Sequence, residues 1–594
     1  MSANDNRDIV KRIEALTKGS ITTKRINGRE YEYWQYPEDG KQKTKRVKGE
    51  ELEVLRGQID ERKRLEKLLK TGRNNDYSIS PPIKVGDDND YTVFVRMEEE
   101  LSRFVKPVKE YKKRECIKKI ERYIYGSETG IVLVLYGLRR TGKTTMIKQL
   151  IGEMSKEDFD RTVFIQVKAG DTLEDVHRDI RLMEKRGYKY VFIDEVTLME
   201  EFIENAAVFS DIFASSGMKI VLSGTDSLGF LFTMDEQLYD RAVMVHTTFI
   251  PYKEFEEVLG KRGIDEYIRY SGTMSIGGFN FNEENGTFSN IKSTNEYVDS
   301  AIAQNIQHSL KFYQYGGHFR GLTKLYESGE LTNVINRIIE DMNHRFAIEV
   351  IEERFKSHDF GISKNNLRRD KENPTDLLDL VDVDALTERL KSLLYIIEKE
   401  DASVEVTYSH IEEIQQYLHL LDLVTPIDIV SVADGAVATV RNVFTQPGLR
   451  YSQAQSLITS IIQDDVFGNL GVKDRSKIID RILDEIRGRM MEEIVLLETQ
   501  NANPNFNVFV LQFEIGEFDM VVFDPLKLCC RIYEIKHSNK AVPEQARHLL
   551  DKKKLSQTEK RYGDILGKYV IYTGKSGKFN SVDYVNVEEY LKGI

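Results

Sequence analysis

At 594 residues the chain is too long for a single hydrophobic core and implies roughly three to five domains. Its 40% hydrophobic and 31% charged content is that of a soluble globular protein, and the lack of any eighteen-residue apolar run excludes a membrane span. A net charge of −12 excludes indiscriminate coating of nucleic acid, yet residues 1–76 run against it, with 19 Lys and Arg against 14 Asp and Glu.

Residues 20–48 carry two hairpin signals, Asn27-Gly28 and Asp39-Gly40, between alternating strands. They predict a three-stranded meander, followed by a charged helix over 50–70. Tyr31, Tyr33, Trp34 and Tyr36 among basic residues suit either a groove-reading sheet or a solvated module whose aromatics pack on the helix. Residues 71–90, polar with paired prolines, read as linker, and a basic helix over 107–125 leads into the next domain.

The apolar run VLVLY then feeds Gly137-x-x-x-x-Gly142-Lys143-Thr144. A strand opening into such a loop and then a helix is a phosphate cradle. Backbone N–H groups curl around the anion, Lys143 reaches the β- and γ-phosphates, and the Thr144 hydroxyl serves Mg²⁺. The loop residues Gly137, Arg140, Thr141, Gly142, Lys143, Thr144 and Thr145 are therefore expected to hold ATP, and Arg139 lies among them. Further strands over 162–169, 190–193 and 220–222 alternate with helices, which predicts a parallel sheet covered on both faces. Ligands sit beyond the carboxyl ends of such strands, where Asp194, Glu195 and Ser223 emerge. Asp194 fits the metal carboxylate, Glu195 the residue that polarises water, and Ser223 a γ-phosphate or water contact. Arg241 is a candidate for neutralising transition-state charge, either in its own subunit or across a subunit boundary.

The stretch 270–296, rich in Gly, Asn and Ser, reads as an insertion ahead of a helical tract through the 340s. Residues 405–432 combine helical periodicity with a β-rich tail, as in a winged helix that either touches DNA or connects domains. Near the end, strands 517–523 and 530–535 carry Asp519 and then Glu534-x-Lys536, whose spacing of two puts the latter pair on one strand face. Two carboxylates can hold Mg²⁺ while the lysine helps a water attack a phosphodiester. Glu492, on the helix GRMMEEIVLLE, is a candidate third ligand, and Gln545 opens a helix that can position metal or substrate.

Together YGLRRTGKTT, VFIDEV, VLSGTDS, DRAVMVHTTFIPYKEF, GRMMEEIVL, GEFDMVVFD and YEIKH resemble the bacterial and archaeal AAA-type ATPases that end in a PD-(D/E)xK nuclease-like domain. FEIGEFD lacks the proline of that motif's name. The resemblance covers about residues 107–575 and implies an α/β multidomain fold. The basic meander plus helix over 1–75 and the linker over 76–106 lie outside it; its parts are a P-loop ATPase core over 107–258 and a helical lid with insertion over 259–345. A winged-helix-like domain over 346–435 and a restriction-endonuclease-like α/β domain over 436–594 complete it. It further implies ATP chemistry at Lys143, Thr144, Asp194 and Glu195, and a nuclease motif at Glu492, Asp519, Glu534 and Lys536. Mg²⁺ is the expected metal, with Mn²⁺ an alternative at the nuclease-like site. DNA is the expected partner, in a mobile-element or defence setting, and a homo-oligomer the expected assembly. The competing expectation is a nucleotide-switched scaffold whose C-terminal domain binds without cleaving. Cys116, Cys529 and Cys530 have no metal-ligand spacing and, with a polar N-terminus, fit a cytoplasmic protein.

Overall fold

The computed structural model describes residues 20–26, 29–38, 41–47 and a few positions within 52–62. It also describes 91–594 apart from 200–201, 226–228, 231–232, 234–236, 248, 273–287, 313–319, 357–382, 401–405, 434 and 469. Most of the helix expected over 50–70, the 71–90 linker and much of the 270–296 insertion lie outside the described residues. The chain divides into two units, Met1–Asn89 and Asp90–Ile594.

In the first unit, β1 (Ser20–Ile26), β2 (Arg29–Glu38) and β3 (Lys41–Val47) form the expected antiparallel meander with β2 central. In their register Trp34 pairs with Ile21 on one side and Lys45 on the other. On β3, Lys43, Lys45 and Arg46 are exposed while Val47 is buried.

The second unit contains two large sheets. The six-stranded one uses β4 (Phe94–Arg96), β5 (Val132–Tyr136), β6 (Thr162–Gln166), β7 (Tyr190–Asp194), β8 (Lys219–Gly224) and β9 (Ala242–His246). Their order is β4-β6-β7-β8-β5-β9, parallel except for β4. Every residue of β5, β7 and β8 is buried, which is why these strands read as continuous apolar runs. Helices α1 (Glu98–Val105), α2 (Ile117–Tyr125) and α3 (Lys143–Glu153) pack on one face, with Leu101, Ile120, Ile147 and Leu150 meeting Leu133, Leu135 and Val221. The linker expected over 76–106 is corrected in its second half. Phe94–Arg96 pairs with β6, and α1 buries Leu101 and Val105, so these residues belong to the layers of the six-stranded sheet.

After β9 come α4 (Tyr252–Leu259) and α5 (Ile264–Tyr270), then the helical tract that includes Ile291–Tyr297, Gln304–Phe312 and Arg320–Ser328 and ends in α6 (Leu331–Lys356). Leu138 of the phosphate loop is fully buried among these helices, beside Tyr297, Val298 and Ile302.

The winged-helix expectation over 346–435 is also corrected. Helix α7 (Tyr408–Leu420) is followed by β10 (Val424–Ser431) and β11 (Val437–Phe444), but this hairpin extends the second large sheet. Ile429 pairs in parallel with Val510, so the strands that resemble a wing in sequence find a sheet edge instead. Beyond them run α8 (Pro447–Ser460), the 31-residue α9 (Val472–Ala502), and the meander β12 (Asn507–Gln512), β13 (Glu517–Asp524) and β14 (Cys529–Lys536). Next are α10 (Lys552–Tyr562), β15 (Asp564–Tyr572), β16 (Gly577–Phe579), β17 (Val582–Asn586) and α11 (Val587–Gly593). The sheet order is β11-β10-β12-β13-β14-β15-β17-β16, with β14, β15 and β17 mutually parallel.

One apolar core joins Tyr252, Phe255 and Tyr267 to Met491, Ile494 and Val495 of α9 and to Val587 and Leu591 of α11. It crosses the positions 258 and 435 where domain borders were expected. Among the described residues no helix is long and apolar enough to cross a membrane.

Candidate functional site

The loop 137–142 leaves β5 at the carboxyl edge of the sheet. Gly137, at φ +138°, lies so close to Thr247 that an added Cβ would sit 2.1 Å from its carbonyl oxygen; no side chain fits there. Gly142 is left-handed at φ +90° and starts α3. Thr141 Oγ1 donates to Leu138 O and meets Thr247 Oγ1, both at 2.8 Å, which pins the loop's crown. Lys143 is buried, and its Nζ donates to Gly137 O and Leu138 O at 2.8 Å each. Burial lowers its pKa to about 8.

Asp194 ends β7 with one oxygen accepting from Thr144 Oγ1 at 2.8 Å and the other from the Ser223 hydroxyl. A hydroxyl meeting a carboxylate at the start of the cradle helix is an oxygen donor set that suits Mg²⁺. Glu195 follows with a left-handed backbone, φ +58°, rare for a residue with a side chain. Burial, then the charge of Asp194, raises its carboxyl above the usual range, and Thr225 Oγ1 donates to it at 3.3 Å. The cradle residues predicted from sequence thus converge. Arg140 is also left-handed, φ +65°, and stands over the ring of Tyr297, while Arg139 donates to Ser300 O at 3.1 Å. Both arginines of the loop engage the helical tract.

Arg241 is not among these residues. It precedes β9 at the amino edge of the sheet, paired with Asp211 at 3.0 Å, and both side chains are about half exposed. Five residues of strand, about 16 Å, separate that edge from the cradle, which excludes a role within its own subunit. The sequence reading missed Arg114. This buried side chain donates to Glu254 (2.7 Å), to Thr141 O (2.8 Å) and to Phe249 O (2.7 Å), tying the loop to the chain after β9. Its partners lie 27 to 140 residues away, and no local pattern signals them.

In the second sheet, the register that pairs Met520 with Tyr533 brings Asp519 across from Glu534. Lys536 Nζ lies 2.6 Å from Asp519 Oδ2 and 2.8 Å from Glu534 Oε2, and Asp519 Oδ2 also accepts from Ile535 N at 2.7 Å. Burial, then the charge of Asp519, raises the Glu534 carboxyl. Its other oxygen, Oε1, is buried with no hydrogen-bond partner. Glu492 is buried nearby, but Arg489 binds it at 2.9 Å, and Arg489 also comes within 4.0 Å of Glu517, an acid the sequence reading missed. Among the described residues no group of three His, Cys, Asp or Glu is placed to hold a metal ion, so Glu492 does not complete a triad. Gln545 is also corrected: it sits in the 3₁₀ turn Pro543–Ala546, bonded to Lys540 O and Val542 N, and the helix α10 begins only at Lys552.

The parallel sheet, the glycine cradle and the Asp194–Thr144 pair define a P-loop nucleotide-binding domain. Residues 129–256 match the family model described as an AAA domain, and this part of the chain is an AAA-type ATPase domain. No curated protein matches the chain. Among solved structures it is similar to Hsp104 in its closed state with ATPγS and FITC casein, at 10% identity and TM-score 0.23, over 57% of this chain and 55% of that one. The chain thus spans about half the length of Hsp104. It is also similar to the Aeropyrum pernix ORC1 protein in complex with DNA, at 10% identity and TM-score 0.22, covering 62% and 98%. A third is AMPPCP-bound DnaA from Aquifex aeolicus, at 14% identity and TM-score 0.19, covering 51% and 92%.

Proposed function

We propose that ATP turnover in the AAA domain gates a metal-dependent site in the C-terminal half that cleaves DNA phosphodiesters. The observation that carries the second half of this reading is Glu534 Oε1. A buried carboxylate oxygen without a partner, one strand from Asp519 and beside an ammonium, is costly unless a cation or substrate completes it. In the cradle, Lys143 binds the β- and γ-phosphates, Glu195 orients the attacking water, and Ser223 holds Asp194 in place. Thr144 and Asp194 in the cradle, and Asp519 and Glu534 in the second site, would hold Mg²⁺ (Mn²⁺ being an alternative at the second), which would supply charge neutralisation and water activation. Lys536 then faces the attacked phosphate. DNA is favoured as substrate by Arg441 within electrostatic reach of Glu517, by Lys554 within reach of Glu534, and by exposed Lys43, Lys45 and Arg46 on β3. A role for Arg241 at a nucleotide would require a homo-oligomer in which it crosses a subunit boundary.

Arg489, which already engages Glu492, favours a second reading, in which the C-terminal domain binds DNA or a partner without cutting. Linear, nicked and branched DNA, each incubated with and without ATP and with Mg²⁺ or Mn²⁺, separates the two. Lys536→Ala should abolish nicking and leave ATP turnover intact, whereas Lys143→Ala should abolish turnover. Wild-type protein that binds DNA but cuts none of these forms would establish the second reading.

A further inference from the structure

A cavity of about 520 Å³ opens beside the phosphate cradle without including any residue of the loop itself. Its walls come from five places, two of them being Asp422 with the β10–β11 hairpin and Leu591 of α11. Arg114, Cys116 and Lys119 line it from the start of α2, Phe249 and Lys253 from the chain after β9, and Glu498 and Asn501 from the far end of α9. Two wall residues touch the cradle directly: Arg114 donates to Thr141 O at 2.8 Å, and Cys116 Sγ lies 3.3 Å from Met146 Sδ on the cradle helix. A third, Asp422, pairs with His246 at 2.5 Å, whose ring stacks at 4.3 Å on Tyr136, the residue that feeds the loop.

The size is that of a small-molecule site, which typically spans roughly 300–1,000 Å³. The chemistry is mixed in a particular way. Phe249, Pro251 and Leu591 offer apolar surface for a flat ring, and Glu498 and Asp422 offer acceptors. Both hydrogen bonds that Glu498 receives, from Tyr252 N at 2.9 Å and Tyr267 Oη at 2.7 Å, end on Oε1. That fixes the carboxyl and leaves Oε2 for a ligand donor. Acidic side chains that accept from ribose hydroxyls recur in nucleotide sites.

We propose that the nucleoside half of ATP occupies this cavity, with Glu498 accepting from its ribose hydroxyls, so that a helix of the C-terminal half forms a wall of the nucleotide site. The assignment rests on the cradle's reading as an ATP site. It has a mechanical consequence: Glu498 and Glu492 lie on the same helix, six residues or about 9 Å apart, so the nucleoside and the second acidic site share one rigid element.

The test compares equilibrium binding of Mg-ATP and of inorganic tripolyphosphate to the full chain. Tripolyphosphate needs only the cradle, whereas ATP also needs the cavity. Glu498→Gln should weaken ATP at least tenfold and change tripolyphosphate by less than twofold, and Asn501→Trp, which fills the cavity from an exposed position, should do the same. Unchanged ATP binding in Asn501→Trp, or an equal loss of both ligands in the two variants, overturns the proposal. Wild-type protein that binds neither ligand would instead overturn the ATP reading of the cradle.

Discussion

Each candidate site sets a lysine beside buried acids, but the two lysines are held differently. Lys143 donates to two neutral carbonyls of its own loop, while Asp194 is satisfied by two hydroxyls. Lys536 donates directly to Asp519 and Glu534. A phosphate oxygen carries more charge than a peptide carbonyl, so it outcompetes Gly137 O and Leu138 O and draws the ammonium toward it. At the second site the ammonium is already matched by carboxylates, and what lacks a partner is an acid oxygen. The first arrangement is primed for an anion and the second for a cation. On the proposed reading the same residue types suit opposite ligands, and the distinction lies in what each lysine binds beforehand.

The largest expected effect follows from the loop's anchoring. Arg114→Ala strands Glu254, buried at 7% exposure, and frees Thr141 O; losing one partner of a buried pair typically costs about 3–5 kcal/mol. Thermal unfolding should show that loss, together with ATP turnover reduced well beyond the unfolded fraction. A melting point within a degree of wild type would mean the loop does not depend on this anchor. The lysine comparison comes next. Lys143→Met removes a desolvated charge whose partners are neutral, and stability should stay within about 1 kcal/mol of wild type. Lys536→Met leaves Asp519 and Glu534 facing each other; with the lysine 27% exposed, about 2 kcal/mol is expected rather than the full buried-pair cost. Equal melting points for the two variants would break the distinction between the sites.

What was legible in the sequence is what is local. The cradle is a run of eight residues whose glycines, lysine and threonine act through adjacent backbone, and Asp194-Glu195 ends an apolar strand. Glu534 and Lys536 were legible because strand periodicity puts alternate residues on one face, and the approach of Asp519 needed only a hairpin. Arg114 was hidden because its partners are brought to it by the sheet. Of the two alternatives for Arg241, the own-subunit one falls because the residue precedes a parallel strand and so lies at the amino edge, opposite the cradle. The hairpin β10–β11 looked like a wing because a β-tail after a helix has the same pattern whether it stands alone or joins a distant strand. β4 escaped notice as three residues at the end of a polar stretch. The cavity beside the cradle left no trace in sequence, since its walls come from segments separated by hundreds of residues.

An effect expected only at high pH bears on the wall that the two halves share. Burial pushes the Glu498 carboxyl up from 4.5 to about 7, against the lowering effect of its bonds from Tyr267 and Tyr252. A carboxyl that binds its proton more tightly when folded contributes stability that is complete below about pH 4.5 and is lost as pH rises through about 7. Glutamine imitates the protonated form and keeps an oxygen to accept from the Tyr252 N–H and the Tyr267 hydroxyl. Without nucleotide, Glu498→Gln should therefore melt close to wild type at pH 5 and above it at pH 8.5, by about 1–2 kcal/mol after discounting the shift for relaxation around the group. A gap that is the same at both pH values would show that the carboxyl titrates alike in the folded and unfolded chain. A stability gained where ATP affinity falls would mark Glu498 as an acid retained for its ligand at the expense of the fold, the trade seen where binding sites keep groups that packing alone would discard.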